Sequence, residues 1–580
     1  MTATTTATAG TATTAAEQLT LRVLDALLRE DVLGLRTGSR LERREDGDWL
    51  AGRMFALPVR PDGFQCELAA RLPLLEVAGR PVTELAEILA ALGAQAEAPD
   101  RAGYRAFAAE CRQTLATMEW HQDEQPLALA ALQQAYGADP AHWGGARASV
   151  GFDALAAYQD HPVYPTARGR AGLDTAQLRQ YAPECHPAFL LRWLVLPADA
   201  LTVHGTAPLP SWWPTPAALG LPELTEGHLT LPVHPLSVGE PLTAALLERG
   251  LADRAVLAER PYLEVVPTLS MRTVAVAVDP RHHLKLPLAT ATLGLRNRRT
   301  IKPGTLADGA AGQRLLGEVL EHEPRFAETI LLADEQCYAH AGHELLAVLL
   351  RRLPAACADR ETVTVPLAAL PATAPDGRLV LDALADRFFA GDPLALYDAL
   401  LTLLLDWQVT LFGHGVALES HQQNTSLLLD RTPTGAPRLR LLYKDNDGPR
   451  IHRERAAATI DQETLAAFDD LRTFAPSDRA LTDLFSTITG HLCTAALAFA
   501  LAEHGRAPLA DGLALLRKRL TEALDRLGPA GEPLRAALLS AERLPVKAMV
   551  SAGTLLSKER SGAADVNKHY TSGPNYLAGA

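Results

Sequence analysis

Apolar residues recur at three- and four-residue steps over residues 17–33 and 80–98. That is the spacing of an amphipathic helix face, so residues 17–150 read as mainly helical. From about 150 to 310 the pattern changes. Proline becomes frequent, and short β-type runs appear at 229–234, 262–266, 273–278 and 284–295, bounded by turn residues. Asp279-Pro280-Arg281-His282 reads as a turn, which makes 270–295 a hairpin. Helical spacing returns over 311–412, interrupted by a loop-like 371–377. A second hairpin is expected from 416–429 and 438–445 around the turn 431–437, and 462–556 reads as helical again. The most apolar stretch, 393–412, contains Asp398 and Asp406. A membrane span needs about 20 residues nearly free of charge, so this stretch predicts a buried helix.

The class that follows is α+β, with antiparallel sheets and flanking helices. Its 580 residues suffice for roughly two to four domains. The expected division is a disordered Thr/Ala tail at 1–16, a helical region at 17–150, a mixed α/β region at 151–390 and a mainly helical region with a hairpin at 391–580. The tail has neither a positive charge nor an apolar run, so it does not read as a secretory signal. Six scattered cysteines with no Cys-x-x-Cys pair suit a reducing, cytoplasmic setting. The net charge of −13 excludes the basic field of a general nucleic-acid binder. An anionic ligand would therefore need a local pocket of Arg and Lys.

Four segments could supply that chemistry. Glu419-Ser420-His421-Gln422-Gln423-Asn424 closes a β run. On a strand Glu419, His421 and Gln423 would share one face. A register pairing Asp430 with Arg438 would bring Asp445 opposite Gln423, giving two carboxylates suited to a hydrated Mg²⁺. The alternative is a polar hairpin face in solvent. Ser270, Arg272 and Thr273, followed by Lys285, Arg296 and Arg298, form a possible anion cradle on adjacent strands. The alternative there is a cationic sheet edge. The proline- and glycine-bounded loop 161–172 presents His161, Tyr164, Arg168 and Arg170, or is an ordinary basic surface loop. Lys547 and Ser551 fall one helical turn apart and could clamp a carboxylate, or Lys547 faces solvent.

Taken in order, these segments resemble the synthetases that build siderophores without a nonribosomal assembly line, the aerobactin-synthetase-like (IucA/IucC) family. The family pattern His-Pro-x-His-Pro-x-x-Lys-x-Arg-x-Gly is similar to residues 161–172, and Tyr-x-Pro-Glu is matched at 181–184. Pro-x-His-Pro is similar to 232–235, Ser-x-Arg-Thr to 270–273, and Glu-x-His-x-Gln-Asn to 419–424. The resemblance implies a homodimeric, cupped-hand fold of thumb, fingers and palm. It also implies ATP- and Mg²⁺-dependent condensation of a carboxylic acid, citrate- or dicarboxylate-like, with an amine or alcohol through an acyl-adenylate. Neither nucleic acid nor membrane is an expected partner.

By the same resemblance, His161, Arg168, Ser270, Arg272, Thr273, Lys285, Gln423 and Asn424 would bind ATP, and Glu419 and Asp445 the metal. Arg272, Lys285, His421 and either Arg296 or Arg298 would be catalytic, while His421, Lys547 and Ser551 would face the acid. The sequence departs from the family at Tyr164 (for His), Arg168 (for Lys) and Lys444 (for Arg), and in the spacing of the arginine after Lys285. Two alternatives stay open. One is a ligase of the same chemistry making another metallophore or natural-product fragment. The other is a non-catalytic relative that binds an organic acid or chelate.

Overall fold

A nine-stranded antiparallel sheet forms the middle of the chain. Its order runs from Val256–Leu257 through Phe189–Pro197, Tyr262–Pro267, Thr273–Val276, Asp279–Lys285, Ala347–Arg352 and Asp334–His340 to Thr202–His204, with His228–Val233 branching from Phe189–Pro197. The computed structural model describes residues 13–205, 208–561 and 569–579; most of the expected tail lies outside them. The 270–295 hairpin is present, but Val276 pairs with Asp279. Ala277 and Val278 therefore make the turn, and Asp279 and Pro280 open the second strand.

The region 17–150 is helical at both ends but also carries a sheet that the spacing does not predict. Helices Ala15–Arg29, Leu85–Gln95 and the 36-residue Arg101–Tyr136 are joined by a six-stranded antiparallel sheet built from residues 40–82. Its last hairpin closes at Ala78-Gly79, both with left-handed φ (47° and 78°). Such a two-residue turn matches the right-handed twist of the strands it joins. Residues 80–82 are thus a strand, and the helix begins only at Leu85. Strands Ile330–Leu332, Asp334–His340, Ala347–Arg352 and Val363–Pro366 likewise replace the helices expected over much of 311–366.

The second hairpin holds the expected register: Asp430 pairs with Arg438. Its first strand starts only at Thr425, however, so 418–424 is a loop rather than a strand with alternating faces. The turn closes on itself, with His421 O accepting from Asn424 N at 2.8 Å and Thr425 N at 3.2 Å. The hairpin sits in a four-stranded sheet between Ile330–Leu332 and Val363–Pro366.

Helix Pro393–Gly413 is buried, as its composition predicts, and packs against helix Leu509–Leu527. Its two internal charges are paired by neighbours, Asp398 with Arg519 and Asp406 with Arg325 and Arg526. It and Asp478–Glu503 are long and apolar enough to cross a membrane, but 61% and 78% of their apolar windows lie inside the fold. One large apolar core joins the N-terminal and C-terminal helices, and a second fills one face of the nine-stranded sheet.

Candidate active site

Lys285 ends strand Asp279–Lys285 directly across from Thr273. Its residue is only 4% exposed, and its Nζ donates to Asp445 Oδ1 and, at 3.3 Å, to Asp447 Oδ2. Arg351, from the adjacent strand, reaches Asp445 at 3.2 Å and also pairs with the buried Glu335. Glu335 in turn accepts the backbone N–H of Asp445 at 2.8 Å, fixing Asp445 at a left-handed φ of 62°. Burial alone would raise the Asp445 carboxyl, but Lys285, Arg351 and Arg272 outweigh it and hold it well below the carboxylate range. Asp447 moves the other way, raised by burial and by the charge on Asp445 despite Lys285. The pair therefore forms one coupled acid site against one lysine.

The cradle residues gather on the same side. Ser270 Oγ accepts from Thr273 N at 3.1 Å and braces the turn in which Met271 takes a φ of 62°. Arg272 leaves that turn and donates to Thr300 O at 2.7 Å. His421, Glu419 and Lys547 approach from the opposite side, with Lys547 Nζ on Glu419 Oε1 at 3.1 Å. Lys547 does not sit on a helix. It ends strand Arg543–Lys547, which pairs with Tyr570–Pro574.

Burial disfavours the charged form of both site imidazoles. Burial pushes His161 down to about 3, and His421, Arg22, Arg29 and Lys547 add to the shift. Burial also lowers His421, against the pull of Glu419 and Asp445. His161 Nδ1 accepts from Val163 N at 3.2 Å and Tyr164 N at 3.0 Å, and His421 Nδ1 accepts from Gln423 N at 3.3 Å. In each ring Nε2 is left to carry the hydrogen, so each can donate to an oxygen without being a cation.

The arginine that faces the acid pair is Arg299, which the sequence reading passed over. Burial lowers its guanidinium to about 9, Arg272 and Arg170 add to the shift, and Asp445 and Asp447 oppose it. It stays charged at neutral pH. Its Nε is buried with no hydrogen-bond partner. A guanidinium crowded by other cations, with an unspent donor, is a site for an incoming anion. The two expected candidates are elsewhere. Arg296 donates to Ala552 O at 2.6 Å and to Leu556 O, and Arg298 is a largely exposed partner of Glu344 at 2.9 Å. Residues 288–300 fold as a hairpin-like loop in which Arg299 N donates to Thr290 O at 2.9 Å, a pairing that no spacing in the sequence marks.

Other expected residues hold partners within the fold. Arg168 is tied to Asp160 at 2.8 Å. The N–H groups of Ser551 and Val550 donate to the buried Glu30 at 2.7 and 2.8 Å, and the Ser551 hydroxyl also bonds that carboxylate. Tyr164, where the resembled pattern has His, is fully buried with its hydroxyl on Glu110 at 3.0 Å. Gln423 and Asn424 form the turn behind His421.

The two expected metal carboxylates each hold a lysine. Glu419 is taken by Lys547 and Asp445 by Lys285. Among the described residues no group of three or more His, Cys, Asp or Glu could hold a metal ion. Magnesium characteristically uses one or two carboxylates plus waters and phosphate oxygens. The coupled Asp445–Asp447 pair, beside Arg299 with its unspent donor, fits a cation that arrives with an anionic ligand.

Fold and site together define a mixed helix-and-sheet protein whose charged groups converge from separate segments on one polar centre. Residues 151–372 match the IucA / IucC family. Residues 395–559 match the model described as ferric iron reductase FhuF-like transporter. An uncharacterized protein, y4xN of Sinorhizobium fredii, is 25% identical over 52% of each chain, so the match spans about half that protein's length. The staphyloferrin B synthase of Staphylococcus aureus is 23% identical over 76% of this chain and 77% of its own. Among solved structures, the petrobactin biosynthesis protein AsbB of Bacillus anthracis superposes with a TM-score of 0.74 at 16% identity, covering 97% of this chain and 95% of that one. The ATP-bound aerobactin synthetase IucA of Klebsiella pneumoniae superposes at 0.68 with 20% identity, over 97% and 99%. At these identities the superpositions establish the fold.

Proposed function

We propose that this chain is an ATP-dependent ligase of siderophore biosynthesis that joins a citrate- or dicarboxylate-like acid to an amine or alcohol. The observation that carries this reading is the convergence of Arg272, Lys285 and Arg299 on the coupled Asp445–Asp447 pair. The match of residues 151–372 to the IucA / IucC family supports it, as do relatives named as siderophore synthases.

The chemistry follows from the charges. ATP brings about four negative charges. Arg299, Arg272 and Lys285 would offset them, and preorganised charge of this kind is usually the largest catalytic contribution. Asp445 and Asp447 would hold Mg²⁺, which supplies Lewis-acid neutralisation of the phosphates. As ATP enters, Lys285 would exchange its carboxylate partners for phosphate oxygens. Lys547 and the Nε2–H of His421 would orient the acid, so that a carboxylate oxygen attacks the α-phosphorus and pyrophosphate leaves. The acyl group then passes to the amine or hydroxyl, AMP leaves, and one proton is released from the nucleophile. No group in the site is required as a strong base, because the adenylate is already a good electrophile. A cupped-hand arrangement, a homodimer and a cytoplasmic location complete this reading.

Pyrophosphate release tests it, with ATP, Mg²⁺, a panel of di- and tricarboxylates and a panel of diamines, amino acids and amino alcohols. Acid-dependent release that disappears in Arg299→Ala is the expected result. Absence of release together with absence of ATP binding by calorimetry would overturn the proposal. ATP-independent binding of a ferric chelate or acid would favour the second reading, a non-catalytic binder, for which the FhuF-like match over 395–559 speaks.

A further inference from the structure

Loop 288–300 carries Arg299 at its base and Arg296 near its tip. The tip turns through Gly294 at a φ of 105°. A Cβ there would lie 3.0 Å from the Tyr164 hydroxyl and 3.2 Å from the Gly553 Cα, so the tip is wedged between two other segments. Arg296 points away from the polar centre and donates to Ala552 O and Leu556 O, at the end of the helical turn Ser551–Leu555. Lys547 lies just before that turn, whose first N–H groups are held by Glu30.

Glu110, from helix Arg101–Tyr136, closes the arrangement. Its carboxylate accepts from the hydroxyls of Tyr164 (3.0 Å), Thr166 and Thr554 (3.2 Å), and from the backbone N–H of Gly294. These four donors come from three segments: the loop carrying His161, the loop carrying Arg299, and the segment after Lys547. Burial raises the Glu110 carboxyl, and these hydrogen bonds counter the shift. Among the described residues, the hydrogen bonds of Glu110 and Arg296 go to other partners than Asp445 and Asp447.

We infer that Arg296 and Glu110 are positioning residues that lock loop 288–300 onto segment 547–556 and so hold Arg299 and Lys547 at a fixed separation across the site. Arg299 belongs to the phosphate side and Lys547 to the acid side, so this separation sets how the attacking carboxylate oxygen meets the α-phosphorus. That consequence rests on the proposed ligase reading. The lock itself is a property of the free protein.

Two measurements decide it. Hydrogen exchange on the ligand-free full chain compares wild type with Arg296→Met, Arg296→Lys and Glu110→Gln. The expected result is faster exchange in 290–299 and 549–556 together, with Arg296→Lys closest to wild type. Faster exchange in one segment alone, or in neither, overturns the lock, whether or not the chain is a ligase. Steady-state kinetics then separates positioning from binding. A misplacement of about 1 Å costs roughly 100-fold in rate, so Arg296→Met should lose that much kcat with the KM for ATP within about twofold. Unchanged kcat in a wild-type background that turns over would overturn the positioning role. A wild type that neither binds ATP nor turns over would remove the ligase reading and leave exchange to decide the lock.

Discussion

Arg170 and Glu184 stand 14 residues apart in the chain and meet at 2.9 Å as an ion pair with side chains 8% and 1% exposed. Burial would raise Glu184, but Arg170 and His121 outweigh it and hold the carboxyl at about 2. The second arm of Arg170 donates to Arg168 O at 2.7 Å and braces loop 161–172. Removing one partner leaves the other charge buried and unpaired, which costs about 3–5 kcal/mol. Arg170→Met and Glu184→Gln should each lose that much in denaturant unfolding, and the double variant should recover part of it. Single losses below about 1 kcal/mol would show that the pair is not structural.

The choice among three neighbouring arginines gives a second prediction. Arg299→Ala should abolish pyrophosphate release and weaken ATP binding. Arg298→Ala, which breaks only an exposed pair with Glu344, should change stability and activity by less than about 0.5 kcal/mol. Isothermal calorimetry with ATP and a pyrophosphate assay distinguish the two. The reverse ranking would move the anion site to the exposed side of the loop.

Lys285, at the end of its strand, is shared by Asp445 and Asp447 of the loop after strand Pro437–Tyr443. Hydrogen bonds to charged groups are worth about 1.5–3 kcal/mol, so Lys285→Met should weaken ATP by roughly 10- to 150-fold. Removing the cation also leaves two adjacent carboxylates, one of which should stay protonated to higher pH. Infrared carboxyl bands followed against pH would detect this, and two carboxylates still ionised together at mildly acidic pH would contradict it.

Buried histidines set the acid limit of stability. Burial lowers His234 from 6.5 to about 3 and His491 to about 4. The unfolded chain therefore binds more protons than the folded one below pH 6.5. The contribution of these groups is complete above that pH and lost as pH falls towards 3 to 4. Each adds a slope of up to about 1.4 kcal/mol per pH unit. Melting temperature should fall steadily between pH 6 and 4, and His234→Gln should flatten part of that fall. An unchanged profile in the variant would remove His234 from the account.

Much of the fold was legible in local pattern. The Asp430–Arg438 register is the one assumed for the second hairpin, and the buried helix Pro393–Gly413 followed from length and composition. The sheet over 40–82 was not, because its strands are three to seven residues long, too short to outweigh the helical spacing around them. In the site, Lys285 meets Asp445 and Lys547 meets Glu419, and His421 feels the charge of both carboxylates. Their pairings do not follow the motifs: each expected metal carboxylate holds a lysine, and Lys547 ends a strand.

What the sequence by itself determined was the α+β class, the second hairpin, the core helix and the family that residues 151–372 match. Those rest on periodicity, turn chemistry and residue type, all local properties. Tertiary structure alone decided that Arg299 rather than Arg296 or Arg298 faces the acid pair, and that Lys285 meets Asp445 across 160 residues of chain. Such pairings depend on how one sheet crosses another, and no spacing within either segment records the distance between them.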